Sequence, residues 1–121
     1  MAINYHDLYF TSRVRNGKFE EMREGIVDYN RAFSVIKRAL KPNGVLIVID
    51  HIARSGSGHQ AANDLHRIDP DIVKFQLEST GFELAEEAFY LRNSADDHRS
   101  LVFNEEIRGK TDRFIYKFVN K

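Results

Sequence analysis

The sequence predicts a small α/β domain: one central strand of the parallel type, a C-terminal antiparallel pair, and flanking helices. Three observations lead there. The run "VLIVI" at 45–49 is apolar without alternation, as in a strand covered on both faces. Helical periodicity stands before and after it. The last two strand patterns, 82–91 and 112–119, are separated by a polar loop and suit an antiparallel pair.

Residues 1–25 carry aromatics in "AINYHDLYF" but no clean period, and "TSRVRNGKFEEMREG" is charged and turn-rich. They are expected to be irregular, with at most a short strand or helical turn. Over 26–40, Ile26, Tyr29, Phe33, Ile36 and Leu40 recur at steps of three and four, one face of a helix. Asp28 in the first turn and Lys37, Arg38 and Lys41 at the other end match the helix dipole. Pro42 and Asn43-Gly44 then stop the helix and turn the chain into "VLIVIDH".

Next, "ARSGSGHQAAND" reads as loop. In "DPDIVKFQLESTGF", Asp69 suits a helix cap, Pro70 the first helical position and Gly81 the residue just past the end. Ile72, Val73, Leu77 and Thr80 form the inward face. "FELAEEAFYL" alternates through Phe82, Leu84, Ala88 and Tyr90. Residues 92–111 are polar and turn-rich. In the last strand Phe114, Tyr116 and Phe118 share one face, and Ile115, Lys117 and Val119 the other. Residues 1–121 are expected to be one domain, the α/β unit spanning 26–121.

Charge excludes some classes. Lys plus Arg is 18 and Asp plus Glu is 18, so no basic excess points to nucleic acid or an anionic membrane. With no cysteine, disulfides and thiolate chemistry are excluded. No apolar run spans a bilayer and the N-terminus lacks a signal-peptide core, so the expectation is a soluble, cytoplasmic chain.

The order of elements, the turn "LKPNG" and the strand "VLIVIDH" resemble the C-terminal half of a class I S-adenosylmethionine-dependent methyltransferase. In such folds a helix ends in "LKPGG" and leads into the fifth strand, followed by a helix and an antiparallel final pair. Asn43 stands here in place of the first glycine. "YHDLY", "IDH", "LHRIDPDIVK", "GFEL", "LRN" with "DDH", and "RGKTDRF" are together similar to a bacterial methyltransferase group of unassigned substrate.

The resemblance implies a partial Rossmann-like fold that begins at the end of the fourth strand, with "VLIVI" as the fifth. Family members hold S-adenosylmethionine with a glycine-rich turn and a ribose-binding acid near their N-terminus, because backbone must approach the ligand at a helix end. No such unit stands in this sequence. The chain is thus expected to be a truncated methyltransferase-like protein that binds no cofactor alone. With the fourth strand missing, one edge of "VLIVI" should lie open, unless "AINYHDLYF" folds back to cover it. A homodimer, or a separate chain carrying the N-terminal half, is the expected partner. The alternatives are a self-association or complementation module, and a small unrelated α/β enzyme using its His and Asp residues.

"SGSGH" at 55–59 lacks a phosphate-binding glycine fingerprint and reads as a flexible loop, and Ser57 does not fit a nucleophile elbow. His51, His59, His66 and His98 with Asp50, Asp64, Asp69, Asp96 and Asp97 are suitable metal ligands by type, but no pair has the spacing of a metal motif. No metal is expected. By the resemblance, His6 and Asp7 follow the fourth strand, and Asp50 and His51 end the fifth. His66 and Arg67 precede the next helix. Ligands of open α/β sheets sit outside the carboxyl ends of strands, so these six are the candidate catalytic residues. A histidine oriented by a carboxylate could act as general base toward a methyl acceptor. The plainer reading leaves Asp69 as a cap, Arg67 paired with an acid and the histidines solvated.

Overall fold

In a computed structural model, residues 2–9, 12–15, 18–21, 25 and 28–121 are described. Strand β1 (Ala2–Ile3) leads into a 3-10 turn (Tyr5–Tyr9), and a hairpin of β2 (Ser12–Arg15) and β3 (Lys18–Glu21) follows. Then come α1 (Tyr29–Ala39), β4 (Val45–His51), the single turn α2 (Ala62–Leu65), α3 (Pro70–Ser79), β5 (Phe82–Ala88) and β6 (Arg113–Asn120). This is a small mixed α/β protein. From α1 onward the order matches the sequence expectation, with α2 added inside the expected loop. The N-terminal stretch is more ordered than its composition predicts, because its strand and turn are held by partners distant in sequence.

The main sheet has the order β1-β4-β6-β5. β1 runs parallel to β4 through Ala2↔Ile47 and Ile3↔Val48. β6 is antiparallel to both β4 and β5 and lies between them. Of the two outcomes expected for the β4 edge, open or covered by the N-terminal segment, the second is seen: Ala2 and Ile3 pair along it.

Asp28 lies one residue before α1 and not within its first turn. Its carboxylate caps the helix by accepting from the Asn30 and Arg31 backbone N–H groups. Ile26 lies outside the described residues. At the other end Asn120 donates from Nδ2 to the Lys37 and Leu40 carbonyls, at a helix end that leaves such groups unpaired, and to the Lys41 carbonyl just past it. Asn43 takes the left-handed conformation, φ 63°, in which Asn is the residue best tolerated after Gly. At Gly44 a Cβ would meet the Lys41 carbonyl oxygen at 2.8 Å, so the turn has no room for a side chain.

α3 matches its sequence signals. Asp69 accepts from the Asp71 N–H, Pro70 opens the helix, and Gly81 lies beyond the C-cap Thr80 with φ 97°. Val73 and Leu77 are buried as expected, and so is Gln76. The Gln76 Oε1 accepts from the hydroxyls of Tyr5 (2.5 Å) and Tyr9 (2.7 Å), tying the N-terminal turn to α3. The same Asp69 carboxylate accepts from the Gly56 N–H at 2.8 Å and the Gly58 N–H at 3.4 Å, so the "SGSGH" loop, expected to be flexible, is clipped to the start of α3.

The core joins Phe33 of α1 and Val73 and Leu77 of α3 to Leu46, Val48, Phe114, Tyr116 and Phe118 of the sheet. Both helices thus cover one face. This corrects the reading of β4 as buried on both sides. Leu46, Val48 and Asp50 are buried, whereas Val45, Ile47, Ile49 and His51 are only half-buried. β6 alternates as expected. In β5 the register slips between Leu84 and Glu86, which carries Ala88 to the face opposite Phe82. Tyr90 lies past the strand and is 82% exposed, not on the inward face that the alternation predicts.

Candidate functional site

Because β1 and β4 are parallel, their carboxyl ends point the same way. The 3-10 turn starts directly after β1 and sets His6 over the end of β4, where Asp50 faces the core. Asp50 holds His6 by both carboxylate oxygens. Oδ1 accepts from the ring Nδ1 at 2.7 Å and Oδ2 from the backbone N–H at 2.6 Å. Oδ1 also accepts from the His51 N–H at 2.7 Å. Both side chains are buried, that of Asp50 completely.

The other ring nitrogen of His6 looks outward. Its Nε2 is 3.2 Å from Asp7 Oδ1 and 3.3 Å from His66 Nδ1. His66 sits just past α2 with φ 56°, a left-handed backbone that turns its ring edge-on to His6, centroids 5.3 Å apart. The half-exposed Phe103 lies against the His66 ring at 5.1 Å. The His51 ring is 6.2 Å from that of His6, and its Nδ1 is 2.7 Å from the Thr111 hydroxyl.

The three histidines are tuned apart. Burial alone would lower the His6 pKa, but the Asp50 hydrogen bond and charge, with Asp7 adding, more than offset it, and the pKa is raised. His51 is lowered, first by burial and then by the charge of His6, against which Asp50 counts in part. His66 is lowered by burial and by His6. The cluster therefore concentrates proton affinity on His6, beside the carboxylate that orients it. Such a pair can accept a proton and hold the resulting cation.

Of the six sequence candidates, His6, Asp7, Asp50, His51 and His66 come together. Arg67 does not join them. Its side chain turns inward, donating to both oxygens of Asp96 at 2.7 and 3.0 Å, and to the carbonyls of Ile52 and Ser100. Asp96 in turn accepts from the Asp112 N–H at 2.8 Å, which fixes the end of the 92–112 loop beside Thr111. His59 stacks on Tyr9 and His98 pairs with Asp112, both apart from the cluster. Thr111 and Phe103 are the site residues that sequence reasoning passed over. The signal for Thr111 was its place two residues before the final strand, level with the end of β4. Nothing local marks Phe103.

Among the described residues no group of three or more His, Cys, Asp or Glu is arranged to hold a metal ion, and no helix is long and apolar enough to cross a membrane. Concavities occur elsewhere, one of about 410 Å³ within the 93–110 loop and one of about 670 Å³ between α1 and the C-terminus, lined by none of the cluster residues. No protein-family model, curated protein or solved structure matches the chain.

Proposed function

We propose that the chain is the acceptor-side half of a class I methyltransferase fold, not competent alone, with His6 as general base and Asp50 as the group that orients it. The observation that carries this reading is the sheet itself. A short strand runs parallel to β4, and the last strand inserts in reverse between β4 and β5. In the family that the motifs resemble, the fifth strand lies between the fourth and a reversed final strand. The His6–Asp50 pair then stands where ligands of open α/β sheets bind.

S-adenosylmethionine, when bound, supplies a methyl group to a nucleophile. His6 Nε2 would take up the proton of the acceptor O–H or N–H. Asp50 keeps the ring in the tautomer with Nδ1 protonated and stabilises the imidazolium. The 121 residues contain no glycine-rich turn to cradle the cofactor.

Isothermal titration tests this division. The chain alone should show no saturable binding of S-adenosylmethionine. Fused behind a cofactor-binding half of the same fold, it should bind one equivalent. Micromolar one-site binding by the chain alone, or a folded fusion that fails to bind, overturns the proposal.

A second reading, an assembly module, is favoured by the sheet face away from the helices. There Ile47, Ile49, Ile115 and Val119 are only half-buried, and among the described residues β1 pairs with two residues of the β4 edge. Apolar surface and strand edges of this kind pair with a second copy or a complementary chain. Light scattering should then show a dimer, and a monodisperse species of 14.1 kDa at high micromolar concentration sinks this reading.

A further inference from the structure

We propose that Arg113, with His51 beside it, is a binding site for an oxyanion, the carboxylate or phosphate group of a small ligand. The site goes beyond the methyltransferase reading and does not rest on it.

The proposal starts from an orphaned donor. Arg113 is half-buried, and its Nε is out of contact with water and has no hydrogen-bond partner. A buried donor left unpaired costs free energy, and more so on a charged group. Two other arginines of the chain show what is missing. Arg67 donates to both oxygens of Asp96. Arg92 takes Asp112 side-on, with Nε at 2.7 Å and Nη2 at 3.3 Å. Arg113 follows Asp112 in sequence, but that carboxylate already accepts from Arg92, the Asn93 N–H and His98. On the same face of β6, Lys117 has Glu86 of β5 opposite it at 3.6 Å. Among the described residues no acid pairs with Arg113.

Strand register supplies the second donor. His51 of β4 lies directly opposite Arg113. The Ile52 N–H donates to the Asp112 carbonyl, so the neighbouring pair, His51 and Arg113, is of the non-hydrogen-bonded kind, whose side chains stand closest. His51 Nδ1 is engaged with the Thr111 hydroxyl at 2.7 Å, and among the described residues no hydrogen bond engages Nε2. With Thr111 donating to Nδ1, the neutral ring carries its proton on Nε2 and offers it to a ligand.

The local charge is positive. Burial lowers the His51 pKa first; Asp50 opposes this, and the charges of His6, Arg113 and Arg67 add to it. A bound anion relieves that repulsion. The side-on edge of a guanidinium, Nε with one Nη, matches the two oxygens of a carboxylate or phosphate. The His51 and His6 rings are 6.2 Å apart, so the bound group would be held next to the His6–Asp50 pair.

Nitrogen-resolved NMR of the 121-residue chain tests the site, with sodium acetate or inorganic phosphate titrated at constant ionic strength. The Arg113 Nε–H and His51 ring signals should shift saturably, and the His51 pKa should rise, as a neighbouring negative charge requires. Whichever probe saturates at the lower concentration assigns carboxylate or phosphate. Arg113→Gln should weaken the His51 response at least about tenfold, because the two-pronged contact is lost. Lys41→Gln, an exposed cation before the start of β4, should leave it unchanged. No saturable shift in the parent chain, an equal shift with chloride, or an undiminished response in Arg113→Gln overturns the site. The parent titration decides even where Arg113→Gln fails to fold.

Discussion

Arg67 and Asp96 form a two-pronged ion pair with both side chains fully removed from solvent. Its charges are satisfied from all sides. Arg67 also reaches the Ile52 and Ser100 carbonyls, and Asp96 accepts from the His98 and Asp112 N–H groups. Breaking such a pair by removing one partner leaves a buried charge uncompensated, at a cost of about 3–5 kcal/mol. Arg67→Met should lose stability on this scale in urea melts. Arg67→Met with Asp96→Asn should recover part of it, since the amide oxygen still accepts from the backbone. A single variant within about 1 kcal/mol of the parent contradicts this role.

Asp50→Asn should uncouple His6. The amide can still accept from the backbone N–H, but the negative charge that raises the His6 pKa is gone and burial then dominates. The His6 titration should move from above 6.5 to below it, followed by ring-proton shifts. Stability should fall by about 1.5–3 kcal/mol, the range for a hydrogen bond to a charged group. An unmoved titration would place the source of the shift elsewhere.

Stability should peak near pH 6.5. His6 is raised from 6.5 in the folded chain, so its contribution is complete below 6.5 and is lost as pH rises through the folded value. His51 and His66 are lowered from 6.5, so their contribution is present above 6.5 and is lost as pH falls toward their folded values. A second decline belongs to acid. Burial would raise Asp96 and Asp112, but Arg67 holds the first and Arg92 the second below the usual 3.8, and their support is lost as pH falls through the folded values. Urea midpoints across pH 3 to 9 check the curve. In Asp50→Asn the decline above 6.5 should disappear.

Gly81→Val should destabilise by about 1 kcal/mol or more, because φ 97° is a conformation that β-branched residues avoid. The new Cβ would also meet Lys37 Cε at 3.2 Å. Lys37 Nζ donates to Asn120 Oδ1 and to the Lys121 carbonyl at 2.6 Å, so the packing of α1 against the end of β6 is exposed to the same change. A variant as stable as the parent in urea would remove Gly81 from this role.

Local signals sufficed where a neighbour within a few residues decides the conformation. The period of Tyr29, Phe33 and Ile36, the cap at Asp69, Pro70 at the first turn and Gly81 past the last are each satisfied within one element. So is the parity of Phe114, Tyr116 and Phe118. By itself, then, the sequence determined α1 from residue 29 onward, β4, α3, β6 and most of β5. It also singled out the five residues that the ends of β1 and β4 bring together.

Tertiary structure alone decided the rest, because those features depend on groups far apart along the chain. His6 and Asp50 meet across 44 positions, and Tyr5 reaches Gln76 across 71. Which faces of β4 are covered depends on α1 and α3 sharing one side of the sheet, and no strand can announce that from its own residues. The bulge in β5 turns Ala88 over because one extra residue faces β6, a fact of pairing and not of hydropathy. Arg67 reads either as a candidate beside His66 or as the partner of an acid, and the sequence does not say which acid. It becomes a buried anchor because Asp96, 29 positions away, supplies the charge that allows a guanidinium to leave water.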